Sequence, residues 1–165
     1  MFTLRCTKNL LGRFGGSRTR SSAPPVVVPT TRLGDWHANV FYRPGAELVL
    51  AVNDRSLLPV VVSARPGEFI VARLVEAITL ILQRLDVPAE SVAAELSEMA
   101  EVQIAPTRSR QILGSLNDFE RMFDYRLSPG STLVDAVLEL AEAPCGPISM
   151  RRPREVAVAL LAAGE

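Results

Sequence analysis

Three apolar runs separated by turn residues, all within Thr31–Ala64, constrain this fold more than any other stretch. Asp35–Tyr42 alternates strictly: Trp36, Ala38, Val40 and Tyr42 fall on one side of an extended strand, and Asp35, His37, Asn39 and Phe41 on the other. Arg43-Pro44-Gly45-Ala46 supplies the proline and glycine of a β-turn, and Glu47–Val52 returns as a second strand. Asn53-Asp54-Arg55-Ser56 is another turn, followed by a Val- and Leu-rich strand over Leu57–Ser63. The product is a three-stranded antiparallel meander. Pro59 lacks a ladder donor, which predicts an edge position or a bulge for the third strand.

Around this meander, Phe2–Cys6 reads as a short strand, and Thr7 as the cap of a helix running to about Phe14 and ended by Gly15-Gly16. Gly, Ser, Arg and Pro then dominate as far as Pro29, which predicts a mobile loop near residues 15–30. Glu68–Leu85 is predicted as the longest helix, with an apolar surface wide enough to be buried on most sides. A second helix runs from Pro88 to about Ala100, with Val92, Leu96 and Met99 on its buried stripe and its glutamates facing water. Glu101–Pro106 is a further strand, after which Thr107 or Ser109 caps a helix to about Leu127. Its Ile112, Leu116, Phe119 and Phe123 recur at helical spacing. Gly114 sits on its opposite row, where glycine costs about 1 kcal/mol relative to alanine, so something is expected to approach that backbone closely. Helices at about Ser131–Glu142 and Pro153–Ala163 complete the chain. The reading is α+β, a small antiparallel sheet (the meander plus the N-terminal and one further strand) packed against several helices. Residues 1–127 form the core domain and residues 128–165 a helical C-terminal extension packed on it.

Charge excludes more than it proposes. Eighteen basic and 18 acidic residues cancel, so no global field attracts nucleic acid or an anionic membrane. Phe69–Leu82 carries Arg73 and Glu76 and falls short of a membrane span. Cys6 and Cys145 form no C-x-x-C pair and read as reduced, partly buried residues of a cytoplasmic protein. Lys8 is the one lysine among the 18 basic residues, a bias that points to a GC-rich bacterial genome.

The chemistry-bearing candidates are few. Asp35, His37 and Asn39 project from one strand face at about 6.5–7 Å intervals, which permits shared contact with a ligand. In an enzyme, His37 with Asp35 supplies the general base, and Asn39, Arg108, Arg110 and Asn117 hold an anionic substrate, such as a phosphate or nucleic acid. In the alternative, the same row is the solvated face of an antiparallel sheet. No G-x-G-x-x-G motif, P-loop or nucleophile elbow is present, and one His with two separated Cys does not make a zinc site. No cofactor and no metal are expected. The functional reading is a non-enzymatic binding or regulatory module whose partner is a protein or an anionic ligand. An enzyme with His37 as base is the alternative, and a structural protein oligomerising through its C-terminal helices is the third.

LRCTKNLLGR at the N-terminus, TTRLGDWHANVFY, the LVLAVNDRSLLPVVV meander and TRSRQILGSLNDF together resemble an uncharacterised bacterial family of short proteins carrying a domain of unknown function. The resemblance spans roughly Phe2–Leu127 and implies no activity. It does imply that Phe2–Leu11 belongs to the folded domain, although the first 34 residues are basic and free of acid, as a transit peptide would be.

Overall fold

The meander forms as the alternation requires, and its register shows why the sheet is buried on both sides. The computed structural model describes residues 1–14, 27–126 and 128–163. Residues 15–26 of the expected loop, with the Gly15-Gly16 stop, lie outside the described residues, as does Leu127. The strands are β1 (Phe2–Cys6), β2 (Trp36–Arg43), β3 (Ala46–Asn53), β4 (Pro59–Ser63) and β5 (Val102–Pro106), in the order β4-β3-β2-β1-β5. β4 stands at one edge, where the missing Pro59 N–H breaks no ladder.

One difference from the expected sheet is its direction. β2, β3 and β4 are antiparallel, but β1 pairs in parallel with both β2 and β5, so the sheet is mixed. Period-two alternation carries no information about direction. The long connections from β1 to β2 and from β1 to β5 permit the crossovers that parallel pairing needs.

The helices are α1 (Lys8–Leu11), α2 (Ile70–Arg84), α3 (Ala89–Glu98), α4 (Arg110–Arg126), α5 (Leu133–Leu140) and α6 (Pro153–Ala162). Ser109 caps α4, its hydroxyl accepting the Ile112 N–H at 3.2 Å. Thr7 stands at the α1 N-cap and accepts the Leu11 N–H through its carbonyl, but its hydroxyl caps no amide and donates instead to Asn39 Oδ1 at 2.7 Å. A capping box joins Thr132 and Asp135 at the start of α5.

Trp36, Ala38 and Val40 are buried with Leu4 and Cys6 on one side of the sheet. The side bearing Asp35, His37, Asn39 and Phe41 is also covered, since Val52, Leu50 and Leu48 stand opposite His37, Asn39 and Phe41 and make it substantially apolar. α4 packs there. The Phe123 ring meets Phe41 edge-on at 5.5 Å, and the Arg43 guanidinium lies 4.7 Å over Phe41 while pairing with Asp124. Ala136, Val137 and Leu140 of α5 and Ala157 and Leu161 of α6 join the same buried cluster as the strands. Among the described residues no helix is long and apolar enough to cross a membrane.

Candidate functional site

The loop that delivers the chain into β2 is fastened from three directions. Asp35 Oδ1 accepts the Thr3 N–H at 2.8 Å, and Oδ2 alone accepts both Nε and Nη2 of Arg5 at 3.2 and 3.0 Å, two charge-assisted bonds on one oxygen. Asn53 donates through Nδ2 to the carbonyls of Leu33 and Asp35, at 2.8 and 3.2 Å. Its Oδ1 accepts from the backbone N–H groups of Arg55 and Ser56 and from the Ser56 hydroxyl. Glu95, from α3, accepts the Arg32 and Leu33 N–H groups at 2.8 and 3.0 Å.

Glu95 corrects the expectation that the α3 glutamates face water. It is buried, and burial raises its carboxyl above the usual range against the opposing pull of the two amides. Gly34, between these anchors, has φ +84°, and a Cβ there would lie 2.7 Å from Arg55 Nε and 2.8 Å from Asp54 Oδ1. Gly34→Ala is therefore expected to cost roughly 1–3 kcal/mol, read as a lowered urea midpoint with an unchanged slope.

His37 lies within this network. Its Nδ1 is 2.8 Å from Thr107 Oγ1, in the segment that leads into α4, and only 4% of the residue is exposed. Burial pushes its pKa down to about 4, and the neighbouring Arg5 cation adds to the shift against Asp35. The imidazole is therefore neutral at pH 7, a weak base held between its neighbours. Asp54 is driven the other way, to about 6, by burial and by the Asp35 carboxylate.

Of the six residues singled out from sequence, Asp35, His37 and Asn39 share one face of the sheet, each with a bond inside the protein. Arg108, Arg110 and Asn117 do not join them. All three are exposed and their side chains make no hydrogen bond or ion pair among the described residues, while α4 turns Ile112, Ser115, Leu116, Phe119 and Phe123 inward. Asn53, Ser56 and Glu95 were missed. The Asn53–Ser56 turn chemistry was visible, but the loop across from it was not.

An open concavity lies on the outer side of α4. A groove of about 440 Å³ runs between Gly114, Phe119 and Met122 of α4 and the loop Ala143, Pro144 and Cys145. A second hollow of about 530 Å³ shares Met122, Ala143 and Pro144 and continues to Arg126 and Glu139. Gly114 is exposed within the groove, and among the described residues no atom outside its own helix turn lies within 4 Å of the position a Cβ would take. No described residue uses the close approach that this glycine permits.

The loop wall is held by its own backbone bonds. Cys145 N–H donates to the Arg151 carbonyl at 3.0 Å and Met150 N–H to the Cys145 carbonyl at 2.9 Å. Ser149 and Met150, at φ 57° and 59°, are two successive non-glycine residues in the left-handed region, an arrangement costing of order 1–3 kcal/mol each that the surrounding bonds must hold. The Cys145 thiol points to the Ala143 carbonyl at 3.3 Å, and burial raises its pKa, so it lines the groove as a protonated thiol. Among the described residues no group of three His, Cys, Asp or Glu is placed to hold a metal ion.

No curated protein matches the chain. A family model described as a domain of unknown function matches residues 3–156, which takes in the whole sheet, α4 and the loop that walls the groove. With that match covering nearly all of its length, the chain belongs to the family of the Domain of unknown function (DUF6933).

Proposed function

We propose that this protein is a non-enzymatic binding module of the bacterial cytoplasm and that its site is the groove between α4 and Ala143–Pro147. Gly114 carries the reading. An interior helix glycine costs about 1 kcal/mol relative to alanine, and this one relieves no internal crowding, so its use is to leave room for an occupant from outside. The Arg108 and Arg110 side chains, just before and at the start of the same helix, are exposed and have no partner among the described residues, which favours an anionic ligand. His37 and Asp35 are taken up by bonds within the fold, which supports binding over catalysis. Two unpaired cysteines, Cys6 with its thiol raised to about 12 by burial, fit a reducing compartment. Residues 128–165 then act as one wall of the site within the same domain.

The test is a titration of the amide spectrum with carboxylate- and phosphate-bearing fragments. Shifts are expected at Gly114, Met122 and Cys145, and are lost in Gly114→Leu, whose stability is expected to rise by up to about 1 kcal/mol because leucine is the better helix former. Fragments that instead gather around His37 would replace this reading with the enzymatic one.

A further inference from the structure

Resting on that groove reading, we infer that the occupant is an extended acidic peptide segment of another protein. The shape argues first. The two hollows share the Met122, Ala143 and Pro144 walls and together follow α4 from Gln111 to Arg126, about 22 Å at the 1.5 Å rise of a helix. A metabolite of ordinary size fills one such hollow, whereas an extended segment of about seven residues at about 3.3 Å each follows both. The lining is mainly apolar, with Met122, Pro144 and Pro147 available to side chains on one face of the segment and the buried Phe119 at its floor. Gly114 lets its backbone come close.

Charge then selects the segment. Each carboxylate along the trough already has a cation: Asp118 faces Arg121 at 3.9 Å, Glu139 faces Arg126 at 3.8 Å, and Glu142 is shared by Arg152 and Arg154. Arg108 and Arg110 at the start of α4, and Arg151 on the loop, bonded to Cys145 through its backbone, are exposed, and their guanidinium groups have no partner among the described residues. The surplus is cationic although the whole chain is neutral. Arg110, next to the lining residue Gln111, and Arg151, bonded through its backbone to the lining residue Cys145, suit a segment with apolar side chains toward the groove and carboxylates toward these guanidinium groups at its end.

Phage-displayed heptapeptides selected on the full chain test this directly. The wild type is expected to enrich sequences with Asp or Glu at one end and Leu, Ile or Met along the rest. Gly114→Leu should reduce binding of the best peptide at least tenfold, and Arg110→Glu at least fivefold with the preference moving away from acidic ends. Enrichment that depends on Gly114 but lacks acidic residues, or ignores Arg110, overturns the acidic peptide and leaves the groove reading standing. The same holds if no peptide is enriched while inorganic phosphate shifts the Gly114 and Cys145 amides. If neither peptide nor fragment responds to Gly114→Leu, both readings fall. A wild-type dimer in light scattering that becomes a monomer in Gly114→Leu would make a second copy the occupant and overturn the inference.

Discussion

Asp35→Ala is expected to lower the unfolding free energy by about 3 kcal/mol, measured as a fall in the urea midpoint at pH 7. Removing one partner of a buried ion pair costs about 3–5 kcal/mol because the other charge remains uncompensated. Arg5 keeps 24% of its side chain exposed, so water recovers part of that loss and places the effect at the low end. Against that recovery, the Thr3 N–H is fully enclosed and loses its acceptor, which adds about 1–3 kcal/mol. Asp35→Asn keeps an oxygen for Thr3 and removes only the charge, so it should fall between alanine and wild type. Equal losses for the two variants would mean that the ion pair with Arg5 carries the whole effect; no loss in either would remove Asp35 from the structural role given to it.

Acidification supplies the second large effect. His37 titrates near 6.5 in an unfolded chain and near 4 in the folded one. Between those values the unfolded chain binds a proton that the native state refuses, so the His37 contribution is complete above pH 6.5 and is lost as pH falls toward 4. The shift corresponds to about 3 kcal/mol. Asp54, raised to about 6, works in the opposite direction: its folded form takes up a proton first, so its contribution grows as pH falls from 6 toward 4. Asp54 is buried only at its carboxyl and the residue as a whole faces water, so solvent screening reduces its share below that of His37. Glu95 opposes His37 in the same sense as Asp54. The wild type should therefore lose stability between pH 7 and 4.5, and His37→Gln should lose less over the same interval. A variant with the wild-type slope would show that His37 is not the group that resists protonation.

The meander was legible because alternation, two turns and Pro59 all agree on three strands and on which one lies at the edge. The covered second face was not legible from β2 alone. Asp35, His37 and Asn39 look solvated until register sets Val52 and Leu50 opposite them and brings Phe123 onto Phe41. Glu95 was hidden by its chemistry, since Val92, Glu95, Leu96 and Met99 occupy one helical stripe and the charge alone argued for water. Gly114 was legible as an anomaly. Its meaning was not, because the opposite wall of the groove is built from residues 143–147, beyond the next helix.

Placing β1 between β2 and β5 also sets the order in which this protein can be made. During synthesis Phe2–Cys6 emerges ahead of both strands it joins, and Val102–Pro106, its partner on one side, follows about a hundred residues later. At about 5–20 residues per second that interval lasts several seconds. Until then the ribosome holds a nascent chain whose hairpin is paired on its own while a strand bearing Phe2, Leu4 and Cys6 has no finished sheet to enter. Closing so long a loop is slow for a domain of this size. Chaperones that recognise short apolar segments should therefore engage the chain at Phe2–Cys6, and release it once β5 has cleared the exit tunnel.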